Sequence, residues 1–312
     1  MTLLYSHPTF QQHITGVHPE HPRRLATIET RLAETGLLAK TTRPTWPPAA
    51  LPELSRVHGA KYVEEVERYA AAGGGRIEAD TVLSEHSYAA AALGAGAACD
   101  AVRRVLNGED KTALCLIRPP GHHARPNTAM GFCLFNNVAV AARAALDEHQ
   151  LRRVLIVDWD VHHGNGTQEM FYDDGRVAFL SIHRFPFYPG TGDSNETGSG
   201  KGLGLIANVP VAFGTPVKEF HDRFERALLT LAAKHKPELI LISAGFDAHR
   251  QDPIGSLGLE VEDFTRLTKT VLSVAKEHAA GRAVSLLEGG YNPQRLAESV
   301  EVHLQELLSA QQ

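Results

Sequence analysis

The sequence predicts an α/β protein built on a doubly wound parallel sheet, and two observations support this fold class. First, short apolar runs recur along the chain as ALCLI (113–117), VLIV (154–157), VAFL (177–180), LILI (239–242) and AVSLL (283–287). Runs that are apolar at every position are typical of strands buried on both faces of a parallel sheet. Second, segments with helical spacing lie between and around these runs. Such alternation of strand and helix predicts helices on both faces of one sheet.

The N-terminal part of the chain is predicted to be helical. A helix is expected over about 22–38, where Leu25, Ile28 and Leu32 fall on one face. The proline-rich loop RPTWPPAALP follows at 43–52. Helical patterning resumes at 60–71 without a change in composition. We therefore interpret the loop as a surface excursion and not as a domain linker.

Three further helices are predicted in the C-terminal half, each with one apolar face. Their apolar positions are Phe220, Phe224, Ala227, Leu228 and Leu231 in the first helix, Val261, Phe264, Leu267 and Val271 in the second, and Leu296, Val300, Leu304 and Leu307 in the third, which follows Pro293. These spacings match one side of an α-helix. The last three apolar runs are thus accompanied by helices that can cover the sheet.

Length and composition favour one globular domain over residues 1–312. The chain is 43% apolar and 21% charged, which is ordinary for a globular protein. Its formal net charge of −5, without a long block of Lys or Arg, is not the charge pattern of a protein that binds a phosphate backbone. We therefore expect no direct nucleic-acid ligand. The oligomeric state is left open.

The sequence also indicates where in the cell the protein is located. The start of the chain, MTLLYSHPTFQQH, lacks a basic segment followed by an apolar stretch, and no run is long enough to span a bilayer. The three cysteines, Cys99, Cys115 and Cys133, do not have the spacing of a zinc ribbon, and we interpret them as reduced, buried thiols. A cytoplasmic protein with no membrane association is the expectation.

Each apolar run leads directly into polar residues. The five continuations are RPPGHH, DWDVHH, SIHR, SAGFDAH and EGGYN. In open parallel sheets, ligands bind in the crevice beyond the carboxyl ends of the strands. We therefore expect these five polar segments to meet in one site.

Three of these polar residues predict a catalytic metal site. Asp160 and His162 alternate with Trp159 and Val161, so both point to one side of an extended chain, and Asp247 follows the LILI run. Two carboxylates and one imidazole leave a fourth position open, as catalytic metal sites do. Zinc is the first choice, although carboxylate-rich sites also accept iron, cobalt or manganese. Any one of these residues can instead cap a turn, but the set favours a metal.

Groups that can move protons accompany the metal ligands. The adjacent His122 and His123 follow a Pro-Pro-Gly turn and titrate near neutrality. Asp158 and Asn165 are the candidate partners that fix their tautomers. Tyr291 follows two glycines, and its hydroxyl can donate to a developing oxyanion. A tyrosine that merely closes a turn is an equally good interpretation of that motif alone.

Two aromatic residues can form an apolar slot beside these groups. They are Phe132 in the segment GFC and Tyr188 in FPFYPGTG, although Phe is more often a core residue. The acidic residues Glu78, Asp80 and Glu85 can reach the same rim. We interpret them as ordinary solvated charges and assign them no role.

The segments RPPGHHA, VDWDVHHGNGTQ, SIHRFPFYPGTGD, SAGFDAH and LEGGYN together closely resemble the zinc-dependent histone deacetylase superfamily, specifically its class II-like branch of bacterial histone deacetylase-like amidohydrolases. The resemblance extends from HPEHPRR near residue 18 to Tyr291. It implies the arginase–deacetylase fold, with an eight-stranded parallel sheet between helices. It also implies zinc-dependent hydrolysis of an N-acetyl-lysine or a related amide.

The resemblance also implies a role for each matching residue. These are Asp160, His162 and Asp247 as zinc ligands; His122 and His123 as the tandem histidines, with Asp158 and Asn165 as their partners; Tyr291 as the residue that polarises the carbonyl; Gly131, Phe132 and Tyr188 as the acyl-lysine tunnel, with Gly289 as a backbone contact beside it; and Asp158, Ser181 and the main chain around Asp160, His162 and Ile182 as a structural potassium site.

Two positions depart from the pattern of the superfamily. Asn165 stands where class I members have an aspartate, which fits the class II branch and changes the basicity of His123. Tyr188 stands where the tunnel usually has a second phenylalanine.

The expected substrate is an acylated lysine in a protein or peptide, and acetylpolyamines or other acetylated small amines are the alternative. An arginase-like ureohydrolase is disfavoured because its second metal needs a carboxylate where Gly164 stands. A catalytically silent acyl-lysine binding protein is disfavoured because Tyr291 is present.

Overall fold

A computed structural model describes residues 1–310, and one mostly buried parallel sheet of eight strands forms its centre. The strands of the chain are β1 (Thr2–Tyr5), β2 (Thr41–Thr42), β3 (Gly74–Arg76), β4 (Val82–Ser84), β5 (Thr112–Cys115), β6 (Val154–Asp158), β7 (Val177–Arg184), β8 (Ile206–Val211), β9 (Leu239–Ala244) and β10 (Ala283–Leu287). The helices are α1 (Arg23–Glu34), α2 (Leu51–Leu54), α3 (Ala60–Ala71), α4 (Ser87–Leu106), α5 (Asn137–Asp147), α6 (Asn165–Phe171), α7 (Val217–His235), α8 (Val261–His278) and α9 (Pro293–Ser309).

The central sheet has the strand order β2-β1-β5-β10-β9-β6-β7-β8, and every neighbouring pair is parallel. Strands β3 and β4 form a separate antiparallel hairpin. Helices α4, α5 and α6 pack together on one side, while α1, α9, α8 and α7 pack in a row on the other. This confirms the predicted fold class and the eight-stranded sheet.

All five apolar runs form strands, and these strands are neighbours. They are β5, β10, β9, β6 and β7, which occupy consecutive positions in the sheet. Their carboxyl ends therefore lie side by side, as the predicted convergence requires, although SIHR forms the second half of β7 instead of following it. The remaining strands β1, β2 and β8 complete the edges of the sheet.

The helices follow the predicted patterns with shifted ends. The helix expected over about 22–38 ends at Glu34, and a short 3-10 turn occupies Leu38–Lys40. In α7 and α8 most predicted apolar positions are buried, although Ala227 and Val261 are only partly buried. The three cysteines are free and buried, as predicted.

The described residues form a single domain. The predicted domain boundary of 1–312 stays a prediction, since residues 311 and 312 lie outside the described residues. Within 1–310, none of the helices combines the length and the apolar character that crossing a bilayer requires.

Candidate metal centre and active site

Three buried side chains meet where β6 and β9 end. Asp160 and His162 follow β6, and Asp247 follows the neighbouring β9. The candidate ligand atoms lie within 4.8 Å of one another. Nδ1 of His162 lies 2.9 Å from Oδ1 of Asp160 and 3.2 Å from Oδ2 of Asp247. The structure thus brings the three predicted metal ligands together, with Nδ1 of the imidazole facing both carboxyls.

Hydrogen bonds from backbone to side chain shape the segment that follows β6. The chain bends over residues 160–162 instead of staying extended, and the amide of Asp160 donates to Oδ1 of Asp158 at 3.1 Å. Trp159 is fully buried, and its ring packs edge-on against His303 at 5.6 Å between centroids. The amide of His162 donates to Oδ1 of Asp160 at 2.9 Å, which fixes the turn.

The charges at this point fit a divalent cation. Burial and the negative charge of Asp160 raise the pKa of Asp247 to about 7. Burial alone would also raise the pKa of Asp160, but His122 and His162 hold it below its ordinary value. Oδ2 of Asp247 is buried and accepts no hydrogen bond. Two buried carboxyls and one orphaned oxygen are the arrangement that a bound cation stabilises.

Gly289 leaves the space that the two carboxyls need. Its amide donates to Oδ2 of Asp160 at 2.8 Å. A Cβ on Gly289 would lie 2.6 Å from that oxygen and would overlap Oδ2 of Asp247. Only glycine therefore fits this position beside the metal ligands.

The tandem histidines have different partners. Nδ1 of His122 lies 2.9 Å from Oδ2 of Asp158, whereas Nδ1 of His123 lies 2.7 Å from Oδ1 of Asn165. Burial alone would lower the pKa of His122, but Asp158 and Asp160 raise it to about 10. Burial, together with positive charge on His122 and His162, lowers the pKa of His123 well below its ordinary value. The pKa values of the two adjacent imidazoles are therefore shifted in opposite directions.

Tyr291 lies against the aromatic wall of the site. Its ring contacts Phe132 edge-on at 5.8 Å between centroids, and the guanidinium of Arg24 lies 5.2 Å from its centroid. The amide of Tyr291 donates to Oδ2 of Asp252 at 2.7 Å. Burial raises the pKa of the Tyr291 phenol, so its hydroxyl stays protonated and able to donate.

Tyr188 lies beside the histidines, and Phe132 lies beside Tyr291. The Tyr188 ring lies edge-on to His123 at 5.2 Å and to His162 at 6.0 Å between centroids. Gly131 and Phe132 have φ values of 56° and 69°, a region that a phenylalanine rarely adopts. This strained pair projects the Phe132 ring towards Tyr291.

Asp80 and Thr81 accept hydrogen bonds from the backbone of Gly131 and Phe132, a contact that was not predicted from the sequence. Oδ1 of Asp80 accepts from the amide of Gly131 at 3.0 Å and from the Thr81 hydroxyl at 2.9 Å. Thr81 in turn accepts from the amide of Phe132 at 3.1 Å. Burial and the charge of Asp80 raise the pKa of Tyr188. The interpretation of Asp80 as an ordinary solvated charge is therefore wrong, because its carboxylate accepts hydrogen bonds from Gly131 and Thr81.

Two more buried residues contact the backbone of the site, although little in the sequence predicts them. Oε2 of Glu288 accepts from the amides of Gly121 and His122 at 2.7 and 3.1 Å, which ties β10 to the turn that carries the histidines. Arg24 donates from Nε to the carbonyl of Gly290 at 2.6 Å and also to the carbonyl of Glu288. Their only sequence signal is position, because Glu288 precedes the two glycines and Arg24 lies in HPEHPRR.

The residues named for a potassium site are also neighbours. Asp158 on β6 is the register partner of Ser181 on β7, and Ile182 follows it. Oδ1 of Asp158 accepts from the amide of Asp160 at 3.1 Å. The potassium site itself stays a prediction.

Two buried carboxyls beside paired imidazoles and a buried tyrosine, at the carboxyl edge of a parallel sheet, are typical of hydrolases with the arginase–deacetylase fold. Residues 18–307 match the family described as the histone deacetylase domain. This chain belongs to that family.

Named relatives agree with this assignment. The chain is 39% identical to a histone deacetylase-like amidohydrolase of Pseudomonas aeruginosa, over 88% of this chain and 73% of the relative. It is 40% identical to a probable deacetylase of Archaeoglobus fulgidus, over 88% of this chain and 77% of that protein. A solved structure, the HD domain of HDA15, superimposes with a TM-score of 0.94 at 36% identity and covers 99% of this chain and 88% of the other.

Proposed function

We propose that this chain is a zinc-dependent hydrolase that removes acetyl or other short acyl groups from lysine side chains. The observation that carries the proposal is the meeting of Asp160, His162 and Asp247 in one buried cluster. Burial lowers the pKa of the nearby His123 and raises that of Tyr291, which favours a neutral base and a protonated phenol. Membership of the deacetylase family supports the same chemistry.

The three ligands fit zinc by type and number, with a fourth position open to water or substrate. The bound cation would supply Lewis acidity and acidify water at the site. Asp158, Asp160, His162, Ser181 and Ile182 are proposed to hold a structural potassium ion beside it.

His123 is proposed to act as general base. Asn165 accepts a hydrogen bond from Nδ1 of His123, which leaves the lone pair on Nε2 free to take a proton from water. The protonated His123 then passes this proton to the departing amine. The products are a carboxylate, which is acetate for an acetyl substrate, and a free lysine amine.

Tyr291 and His122 are proposed to provide electrostatic stabilisation. The Tyr291 hydroxyl donates to the oxygen that becomes negative when water attacks the amide carbonyl. His122 stays charged against Asp158 and places positive charge near the same point. Phe132 and Tyr188 enclose the aliphatic part of the lysine side chain, and Gly131 and Gly289 allow close approach of the backbone.

Acetylated small amines, including polyamines, are the second candidate substrates, because the same chemistry cleaves their amide bond. A ureohydrolase is less well supported, since a Cβ at Gly164 would lie 3.3 Å from Cγ of Asp158 and would overlap its Oδ2, leaving no room for an additional carboxylate. A silent acyl-lysine binder would not need the protonated Tyr291. We place the enzyme in the cytoplasm, which fits its free, buried thiols.

A substrate panel with and without chelator tests the proposal. Acyl-lysine peptides of increasing acyl length and acetylated polyamines are incubated with the zinc-loaded protein, and the released carboxylate is measured. We expect release from acetyl-lysine peptides that chelator abolishes and zinc restores. Release from polyamines alone would establish the second candidate, and binding of acetyl peptide without release would establish the silent binder.

A further inference from the structure

Three exposed apolar side chains lie on loops at the edge of the sheet that carries the site. Among residues 1–310, the exposed large apolar side chains are Met1, Ile14, Val17, Leu51, Tyr188, Leu203, Phe213, Leu229 and Ile254. Tyr188, Phe213 and Ile254 lie on the loops that follow β7, β8 and β9, at the carboxyl edge of the sheet. An exposed apolar group beside a site is typical of a binding surface.

Phe213 is the most informative of these residues because it is held in place although 67% of it is exposed. The guanidinium of Arg184 lies 4.6 Å from the centroid of the Phe213 ring and 4.2 Å from that of Phe187. The Phe187 ring in turn stacks on His162, with 5.2 Å between centroids and 15° between planes. A row of stacked groups therefore runs from the candidate metal ligand to an aromatic ring at the surface.

Hydrogen bonds connect the loop of Ile254 to Arg184 in the stacked row and to the backbone of Tyr291. Nη1 of Arg184 donates to the carbonyl of Gly255 at 3.1 Å. The amides of Ile254 and Gly255 donate to Oδ1 of Asp252 at 2.9 and 3.0 Å. Oδ2 of Asp252 accepts from the amide of Tyr291. We call Phe213, Ile254 and the Arg184 side chain that links their loops the Phe213–Ile254 platform.

The charges of the platform are unsuited to a polyamine. A polycation needs carboxylates that face solvent, but the acidic residue of the platform, Asp252, is buried and directs both oxygens to backbone amides. The charged group within the platform is the guanidinium of Arg184, which would repel an ammonium group. An apolar or aromatic side chain, in contrast, can bury surface against Phe213 and Ile254.

We propose that the Phe213–Ile254 platform binds an apolar side chain that flanks the acylated lysine of a polypeptide substrate. This inference rests on the proposed deacylase function and narrows its substrate to polypeptides with apolar residues near the modified lysine. Tyr188, a wall of the lysine tunnel, directly follows Phe187 of the stacked row. A residue next to the lysine in an extended substrate is thus close to the platform when the lysine occupies the tunnel.

The test compares two acetyl-lysine peptides that differ only in the flanking residues, which are Phe or Leu in one and Ser in the other. We expect the wild-type kcat/KM to be about tenfold higher for the apolar peptide, the ratio that 1.4 kcal/mol of contact energy gives. In Phe213→Ser the ratio should fall to about one. Ile254→Ser should lower it as well, and provides a second variant if the first does not fold.

The matched control is Leu229→Ser on α7, because Leu229 is also exposed but lies on a helix away from this edge. That variant should keep the wild-type ratio. The inference is overturned if the wild type treats both peptides alike, or if Phe213→Ser keeps the wild-type ratio. It is also overturned if Phe213→Ser turns a dimer into a monomer in light scattering, because the platform would then be covered by a second copy.

Failure of this inference and failure of the proposed function give different results. If both peptides release acetate at equal rates, the deacylase function stands and the platform has no role in specificity. If neither peptide releases acetate from the zinc-loaded protein, the proposed function itself is wrong.

Discussion

Nδ1 of His123 donates to Oδ1 of Asn165 at 2.7 Å, while the adjacent His122 places its own Nδ1 2.9 Å from a carboxylate oxygen of Asp158. An amide oxygen orients the ring without adding charge, whereas a carboxylate stabilises the protonated ring. Asp158 helps to raise the pKa of His122, whereas burial and the positive charges of His122 and His162 lower the pKa of His123.

Asn165→Asp should therefore change the pH dependence of catalysis. The new negative charge favours the protonated form of His123 and raises its pKa from the low value it has in the wild type. Because the base must be neutral to accept a proton, the low-pH limb of the kcat/KM profile should move to higher pH. Glu169→Gln, which changes a charge on the same helix at an exposed position, is the control. An unmoved limb in Asn165→Asp would show that His123 is not the base.

Tyr291→Phe should retain metal but lose most of its activity. Loss of one oxyanion donor removes about 2.7 to 4 kcal/mol of transition-state stabilisation in other enzymes, or about 10² to 10³ in kcat. Metal content is measured by elemental analysis and turnover by acetate release. Tyr188→Phe removes a hydroxyl from the tunnel wall and should keep nearly full activity. Near-wild-type turnover in Tyr291→Phe would remove the phenol from the mechanism.

Asp247→Asn should remove the stabilisation that zinc gives to the fold. A ligand that binds only the folded state stabilises it by about 2.7 kcal/mol when present at 100 times its Kd. In the metal-free protein, the charge of Asp160 and burial already disfavour the charged form of Asp247, so the neutral amide should cost little.

Thermal unfolding with zinc and with chelator measures this effect. The wild type should lose Tm on chelation, whereas Asp247→Asn should have the same Tm under both conditions. The exposed Asp173→Asn serves as the control and should respond as the wild type does. A zinc-dependent Tm in Asp247→Asn would contradict the proposed ligand set.

The sequence revealed the centre of the sheet more readily than its edges. Central strands such as β6 and β9 are apolar at every position because both faces are covered. The edge strand β8 is partly exposed and contains Pro210, so its pattern does not resemble a buried strand. The edge strand β2 has two residues, which is too short for a periodic signal.

The residues of the candidate site also differ in how far the sequence predicts them. Asp160, His162 and Asp247 could be found because each follows a recognisable strand, and neighbouring strand ends meet. The roles of Asp80 and Asp252 could not be predicted, because an acidic residue in a loop is usually solvated. The residues next to them in the sequence do not indicate which backbone amides they bind. Asp252 accepts from an amide 39 residues further along the chain, a contact that only the folded chain creates.

Glu20→Gln should destabilise the fold beneath the site. Glu20 is fully buried and accepts from Nη1 of Arg24 at 3.0 Å and from Nη2 of Arg118 at 2.7 Å. Removing one member of a buried ion pair leaves the others uncompensated and typically costs about 3 to 5 kcal/mol. Denaturant unfolding at pH 7 measures the loss, and Glu64→Gln at an exposed position of α3 should leave the free energy of unfolding unchanged.

The same variant should respond differently to acid. Burial alone would raise the pKa of Glu20, but Arg118, His13 and Arg24 hold it well below its ordinary value of 4.5. A carboxyl with a lowered pKa in the folded state contributes stability above its unfolded pKa and loses it as the pH falls towards the folded pKa. The difference in free energy of unfolding between wild type and Glu20→Gln should therefore be largest near neutrality and shrink below about pH 4.5. A difference that stays constant down to pH 3 would mean that Glu20 is not ionised in the folded protein.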